Sequence, residues 1–244
     1  MKKIMLITGV SRVKGIGFGI AEAAVQAGFE VIISARSEGV ATELASQLST
    51  PNNQVVAVSL DITDDASVKR LARWMEGRYN RLDVLINNAG AGFDMGVQPL
   101  ETDLEETRKT LEVNLFGAWR LIQQLHPLLR AASQARIVNV SSGAGSFGDP
   151  QFGLGVHQGY VTSYGISKLA LNGLSIKLAR QFTEAGDSIK INSICPGFVA
   201  TYPGTEAYGA RPVSEAVPGI LWAATLPDDG PTGGFFRDQR PLSW

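Results

Sequence analysis

Residues 4–17 read IMLITGVSRVKGIG, a short apolar run that leads into a turn with three glycines, and a helical pattern follows. Glycines in such a turn let backbone amides approach a pyrophosphate, and the helix N-terminus behind them favours negative charge. The stretch therefore predicts a dinucleotide-binding turn, although a tight strand-to-helix turn without a ligand would have the same pattern. The residues expected at the cofactor are Gly9, Ser11, Arg12, Lys14, Gly15, Ile16 and Gly17.

Strand-length apolar runs alternate with helical patterns along the rest of the chain. The predicted strands are residues 3–7, 31–34, 55–59, 84–86, 137–140, 189–194 and 234–236, and the predicted helices are residues 16–27, 40–48, 65–78, 104–130, 160–182 and 213–226. Residues 63–65 and 102–103, which include Asp64 and Asp103, are the predicted N-caps of the third and fourth helices. This alternation is typical of a parallel sheet that is covered on both faces. We therefore predict one α/β domain over residues 1–244, a doubly wound Rossmann-type fold with about seven parallel strands.

Composition argues against several classes of protein. The 22 Lys and Arg nearly balance the 23 Asp and Glu, so the chain lacks the basic field that nucleic-acid binding requires. One cysteine and two histidines provide neither a disulfide framework nor a readable metal site, and a lone cysteine suits a reducing compartment. No apolar stretch is long enough for a membrane span. We expect a cytoplasmic protein without a metal, a nucleic-acid partner or a membrane partner.

The glycine-rich turn resembles the Thr-Gly-x-x-x-Gly-x-Gly fingerprint of the short-chain dehydrogenase/reductase family, with two extra residues between Gly9 and Gly15. Three later motifs resemble the family in the same order: LDI at 60–62, NNAG at 87–90 and PGFVAT at 196–201. The resemblance extends over residues 3–236. It implies that Asp61 and Ile62 contact the adenine of a bound cofactor. It also implies that the cofactor is bordered by Asn88, Ala89 and Gly90, and that its nicotinamide is held by Pro196, Gly197, Val199 and Thr201.

The end of the second predicted strand indicates which dinucleotide is bound. An acidic residue there would accept the ribose 2′-hydroxyl, whereas an arginine favours a 2′-phosphate. The chain has Arg36 at this point and no acidic residue before Glu38, and Arg12 and Lys14 add positive charge in the facing turn. Although these side chains could simply be solvated, the pattern favours NADP(H).

Tyr164 and Lys168 are four residues apart, so a helix would place them on one face. An ammonium beside a phenol stabilises the phenolate, and we therefore expect a lowered pKa for Tyr164. The family resemblance implies that this tyrosine is the proton donor and that both residues border the cofactor. It also implies that Ser142 orients the substrate oxygen, with Ser141 as the alternative because a shift of one residue reverses the side-chain direction. By the same resemblance, Asn114 holds a water next to the lysine.

These motifs predict an NADPH-dependent reductase that converts a small ketone or aldehyde to an alcohol, and that works in reverse as an alcohol dehydrogenase. Enoyl-acyl-carrier-protein reductases have a similarly long turn, but they carry a tyrosine seven residues before the lysine, where this chain has Val161. Tyr160 is therefore predicted to be a packing or pocket residue. A non-catalytic NADP(H)-binding regulator remains the alternative, although such proteins typically lose the tyrosine or the lysine.

Ser142 and Tyr164 are 22 positions apart, which is farther than is common in the family. The additional residues lie within 145–159 and include Phe147, Phe152, Leu154 and His157. Such an insertion resembles the carbonyl-reductase branch, and we expect it to form part of the pocket wall. Family dimers and tetramers pack the helices predicted at 104–130 and 160–182, whereas some members of this branch are monomers. The sequence leaves homodimer, homotetramer and monomer open.

Overall fold

The structure is a computed structural model that describes residues 2–156 and 161–244. Within these residues the strands are β1 (Ile4–Ile7), β2 (Glu30–Ala35), β3 (Val56–Ser59), β4 (Val84–Asn87), β5 (Ala135–Val140), β6 (Ile189–Ile194), β7 (Phe235–Arg237) and β8 (Arg240–Pro241). The α-helices are α1 (Ile16–Gln26), α2 (Glu38–Leu48), α3 (Asp65–Arg78), α4 (Leu104–Leu111), α5 (Ala118–Ala131), α6 (Thr162–Ala185) and α7 (Val213–Ala224).

The strands form one sheet in the order β3-β2-β1-β4-β5-β6-β7-β8. The pairs from β3 to β7 are all parallel, which confirms the predicted α/β sheet, and β8 pairs antiparallel to β7. The two-residue strand β8 was not predicted because it is too short to show a periodicity. Asp238 and Gln239 make the turn between β7 and β8, both with positive φ, as a two-residue hairpin turn requires.

Helices cover both faces of the sheet, as the alternating pattern predicted. One apolar core joins the sheet to α1, α2 and α7, with Ile20, Leu44 and Ile220 among its buried side chains. The other joins the opposite face of the sheet to α3, α5 and α6, with Leu71, Leu125 and Leu178 among its buried side chains. The buried strands are apolar on both sides for this reason.

The predicted helix over residues 104–130 is wrong as a single α-helix. It consists of α4, a π-helical segment at Glu112–Gly117, and α5. The predicted caps of two helices are confirmed: the Asp64 side chain accepts hydrogen bonds from the first turn of α3, and Asp103 does the same for α4. For the helix predicted from residue 160, the structure describes α6 from Thr162, and Tyr160 lies outside the described residues.

Within the described ranges, no helix combines the length and apolar character that a bilayer crossing needs. In the same ranges, histidine, cysteine and carboxylate side chains do not group in a way that would hold a metal ion.

Candidate active site

A cleft of about 1260 Å³ opens at the carboxyl ends of the parallel strands. It lies beside β1, where the strand order reverses: β2 and β3 extend the sheet on one side of β1, and β4 and the later strands extend it on the other. Open α/β sheets bind ligands at this reversal of strand order. The lining extends from the glycine-rich turn after β1 to the segment that follows β6.

The glycine-rich turn is held against the NNAG motif that follows β4. Gly9 has a φ of +72°, and a Cβ there would lie 2.5 Å from Cα of Ala89. The Asn88 side chain donates to the carbonyl of Thr8 at 2.7 Å, and a Cβ on Gly17 would lie 2.6 Å from its Nδ2. Only glycine therefore fits this close approach of the two motifs.

The turn has the properties that a pyrophosphate requires. Gly15 is the N-cap of α1 and has no side chain to accept the first amides of the helix, which leaves these donors for an anion. Gly9, Ser11, Gly15, Ile16 and Gly17 all line the cleft. The residues present thus fit the phosphates of a dinucleotide.

Two of the three basic residues predicted around a 2′-phosphate reach the cleft. Arg36 directly follows β2 and is exposed, and it lines the cleft together with Arg12. The Arg12 guanidinium lies over the ring of Tyr202, 3.9 Å from its centroid, and so connects the glycine-rich turn to the segment after β6. Lys14 is exposed and is not part of the lining, so its contact with a cofactor stays a prediction.

Asp61 and Ile62 line the cleft beside Arg36, at the end predicted to hold adenine. The Asp61 carboxylate accepts hydrogen bonds from the amide and the hydroxyl of Thr63 at 2.9 and 2.7 Å. Partial burial opposes ionisation, but these hydrogen bonds and the charges of Arg36 and Arg120 hold the pKa of Asp61 below its ordinary value. The group is an acceptor-only carboxylate at neutral pH.

The opposite end of the cleft contains the predicted catalytic pair. Helix α6 carries Tyr164 and Lys168, both of which line the cleft. Lys168 Nζ donates to the carbonyl of Val140 at the end of β5 at 2.8 Å, and it lies 5.6 Å from the centre of the Tyr164 ring. The helix thus presents the phenol and the ammonium to the same side, as their spacing predicted.

The two serines after β5 point in different directions. Ser141 is buried, and its hydroxyl donates to Oδ1 of Asn172 at 2.7 Å. The Ser142 hydroxyl lies beside Tyr164 and favours a lower pKa of that phenol, and it accepts a hydrogen bond from the amide of Ala144 at 3.2 Å. Because the chain is extended here, neighbouring side chains alternate, and the geometry favours Ser142 over Ser141 as the serine beside the tyrosine.

The expected lowering of the Tyr164 pKa is wrong for this structure. Burial raises the pKa of Tyr164 to about 12, and the neighbouring Ser142 hydroxyl offsets only part of this change. Burial also lowers the pKa of Lys168 to about 8. The physical reason is the same in both cases, because loss of hydration disfavours the phenolate and the ammonium alike. Tyr164 is therefore a protonated phenol at neutral pH.

Asn114 lies in the π-helical segment Glu112–Gly117, behind the cleft lining. Its amide group accepts from the amide of Ala91 at 2.8 Å and donates to the Ala91 carbonyl at 2.7 Å and to Ser167 Oγ at 2.8 Å. A Cβ on Gly90 would lie 3.3 Å from Asn114 Oδ1 and 3.5 Å from Lys168 Nζ. Asn114 thus joins the NNAG loop to α6 near the lysine, and its water-holding role stays a prediction.

The nicotinamide end predicted from PGFVAT is lined by Pro196, Gly197, Val199 and Thr201. Five further apolar and aromatic side chains that were not predicted from the sequence line the cleft: Phe93, Met95, Phe198, Tyr202 and Tyr208. Their positions could have indicated a role in the site, because they lie within or shortly after the NNAG and PGFVAT motifs, and both motifs follow strands that end at the cleft.

The insertion contributes one described side chain to the cleft, Phe152. Phe147 is 73% exposed and is not part of the lining. His157 falls outside the described residues, as does Tyr160. The predicted pocket wall therefore rests on Phe152 within the part of the insertion that the structure describes.

The chain is similar to known oxidoreductases along its whole length. Residues 3–208 match the model of the family described as short chain dehydrogenase. "Carbonyl reductase [NADPH] 1" of Bos taurus is 31% identical, with 99% of this chain and 98% of that protein covered, and "(-)-isopiperitenone reductase" of Mentha piperita is 29% identical, with 100% and 98% covered. The crystal structure of NADPH-bound carbonyl reductase from chicken fatty liver has a TM-score of 0.84 at 28% identity and covers 100% of this chain and 99% of its own. The chain belongs to the short-chain dehydrogenase family.

Proposed function

We propose that this protein is an NADPH-dependent reductase of a small ketone or aldehyde, reversible as an alcohol dehydrogenase. The observation that carries the proposal is the placement of Ser142 beside Tyr164 in the cleft, with Lys168 one helical turn away. The similarity to carbonyl reductases described with NADPH supports both the reaction and the cofactor.

In the proposed reaction the cofactor supplies the hydride, and residues of α6 and of the turn after β5 bind the carbonyl oxygen and supply the proton. When bound, NADPH supplies the hydride that reduces the carbonyl carbon. Ser142 and Tyr164 hold the carbonyl oxygen between two hydroxyl donors, and Tyr164 then gives it a proton. Lys168, fixed by the Val140 carbonyl, places positive charge beside the phenolate that forms.

The cofactor preference is supported by the charge at the opposite end. Arg12 and Arg36 line the cleft, and Ser34 and Ala35 precede Arg36 where an acidic residue would select against a 2′-phosphate. Guanidinium groups bind phosphate through two parallel hydrogen bonds, which an ammonium cannot do. We propose NADP(H) as the cofactor on these grounds.

The substrate end favours an uncharged, largely apolar carbonyl compound. Phe93, Met95, Phe152, Phe198 and Tyr208 line it. The basic side chains of α4 that reach the cleft, Arg108 and Lys109, are paired with Glu105 and Glu106. A carboxylate substrate would therefore lose hydration without gaining a free cationic partner among these two residues.

The test is NADPH oxidation measured with a panel of neutral ketones and aldehydes, with NADH in parallel. We expect turnover with NADPH, a smaller preference for NADPH in Arg36→Ala, and a 10²–10⁴-fold loss of kcat in Tyr164→Phe with NADPH binding intact. Equal turnover of Tyr164→Phe would contradict the mechanism. A protein that binds NADPH tightly but reduces nothing in the panel would be a regulator instead.

We further propose that residues 1–244 act as one NADP(H)-binding domain and that the protein assembles as a homodimer or homotetramer. The support is a set of exposed apolar side chains on the helices that the family uses for assembly, including Phe116, Trp119 and Ile166. The alternative is a monomer, and sedimentation of the wild type and of Trp119→Glu distinguishes the two.

A further inference from the structure

A buried ion pair links the insertion to the last strands of the sheet. Asp149 lies in the insertion with its side chain fully buried, and it pairs with Arg237 of β7, whose side chain is 18% exposed. The second carboxylate oxygen of Asp149 accepts hydrogen bonds from the amides of Gln151 and Phe152. Arg237 lies beyond residues 3–208, which the family model matches. The pair thus joins a residue inside the matched region, Asp149, to a residue outside it, and neither belongs to the motifs that resemble the family.

Arg237 also contacts the only cysteine of the chain. Its Nε and Nη2 lie 3.3 and 3.2 Å from Cys195 Sγ, and the amides of Gly143 and Gly197 donate to the same sulfur at 3.1 and 3.4 Å. Gly143 directly follows Ser142, and Gly197 belongs to the nicotinamide motif. One buried sulfur therefore connects the serine turn, the nicotinamide motif and the guanidinium.

The serine turn packs directly against the ion pair. A Cβ on Gly143 would lie 2.0 Å from Asp149 Oδ2 and 2.4 Å from Arg237 Nη2, so only glycine allows this approach. On the other side, the Arg237 guanidinium lies 5.0 Å from the centre of the Phe152 ring, which lines the cleft. A planar group with five N–H donors can serve the carboxylate, the sulfur and the ring at once.

We propose that Arg237, held by Asp149, is a positioning residue that fixes the Ser142 hydroxyl against Tyr164 and holds Phe152 in the pocket wall. It acts on Ser142 through Gly143 and Cys195 and does not touch the reacting atoms. The inference rests on the proposed carbonyl reduction, in which Ser142 orients the substrate oxygen. A small displacement of such a group is costly, since about 1 Å can reduce a rate by about 10²-fold.

Arg237→Lys is the first test because it keeps a positive charge beside Asp149 but removes the second nitrogen that reaches Cys195. We expect kcat to fall about 10- to 100-fold, with the dissociation constant for NADPH and the melting temperature close to those of the wild type. Arg240→Lys is the matched control, because Arg240 is exposed on β8 of the same hairpin. It should leave kcat unchanged.

Removal of Arg237 alone would leave the Asp149 charge buried and could unfold the protein. The double variant Asp149→Asn/Arg237→Gln removes both charges and keeps hydrogen-bonding groups, and we expect it to lose kcat as Arg237→Lys does. If both variants are folded and retain kcat within twofold of the wild type, Arg237 is not a positioning residue.

A second readout needs no substrate. Cys195 is the only cysteine and is buried, so its reaction with a thiol reagent reports how firmly this cluster is held. We expect faster labelling in Arg237→Lys and in the double variant than in the wild type and Arg240→Lys. A wild type without carbonyl reductase activity would refute the proposed function, and unchanged labelling in both variants would independently refute the positioning role.

Discussion

Lys168 combines a buried position with a charge that the proposed reaction needs. The side chain is 4% exposed, and its Nζ donates to the Val140 carbonyl. Burial lowers its pKa to about 8, so the ammonium exists below this pH and the neutral amine above it. The neutral amine cannot offset the negative charge that develops on Tyr164 during proton transfer. The titration of Lys168 should therefore set the alkaline limit of reduction.

We predict that kcat/KM for reduction falls as pH rises through about 8, the pKa that burial gives Lys168. The sign follows because a higher pH removes the proton that carries the positive charge. In Lys168→Arg, whose guanidinium stays protonated, any remaining activity should be insensitive to pH in this range. Lys177→Arg on the exposed side of α6 is the control and should keep the wild-type profile. A wild-type profile that stays flat to pH 10 would contradict this assignment.

At this scale the sequence predicts which residues meet but not how their protons are held. The four-residue spacing of Tyr164 and Lys168 predicted that they share a helix face. The choice between Ser141 and Ser142 could not be made from the sequence, and it follows from the neighbours of each hydroxyl in the structure. The direction of the Tyr164 pKa was missed because it depends on burial. Burial comes from distant segments that pack over the phenol, and no local spacing encodes it.

At the scale of elements, caps and apolar periodicity predicted the helices well, whereas their interruptions were missed. Asp64 and Asp103 are the N-caps of α3 and α4, as predicted, because capping is a local interaction. The π-helical segment Glu112–Gly117 leaves no comparable signal, since its i→i+5 bonding changes the pattern by only one residue. Such segments are frequent at functional sites, and this one contains Asn114.

The helix faces also carry a prediction about assembly. Phe116, Trp119 and Ile166 are 44%, 39% and 46% exposed on the π-helical segment, α5 and α6. Exposed apolar patches on a helix face mark contact surfaces, because their burial removes apolar area from water. We expect the wild type to sediment as a dimer or tetramer and Trp119→Glu to shift it toward monomer. Leu100→Glu, at a fully exposed position outside these helices, is the control. A monomeric wild type would refute the assembly.

For the whole molecule, the order of strands and helices was predictable, and the connection between its distant ends was not. The Ser146 hydroxyl in the insertion donates to the Ser243 carbonyl at 2.7 Å, and the Gly148 amide donates to the main-chain oxygen of Trp244 at 2.9 Å. The Trp244 ring stacks on Phe235 of β7 with centroids 5.4 Å apart. Each contact joins residues that are far apart in the sequence, and a periodic pattern carries information only about near neighbours. The support of the insertion by residues 243–244 could therefore not be predicted from the sequence.

This connection predicts that deleting residues 243–244 weakens both the fold and the substrate site. The deletion removes two hydrogen-bond acceptors and a stacked ring, which together contribute about 2–3 kcal/mol to the free energy of unfolding. Because the insertion carries Phe152 into the cleft, we also expect a higher KM for the carbonyl substrate. Urea unfolding and steady-state kinetics measure the two effects.

Trp244→Phe is the control for the deletion, because it keeps both main-chain acceptors and an aromatic ring against Phe235. It should stay within about 1 kcal/mol of the wild type and keep its KM, since an aromatic pair contributes about that much beyond area burial. A loss of stability with unchanged KM would place residues 243–244 outside the support of the pocket wall. An unchanged unfolding free energy would mean that the contacts to Ser146 and Gly148 contribute nothing measurable. The insertion is supported by these two main-chain oxygens only if the deletion lowers the stability and raises the KM while Trp244→Phe changes neither.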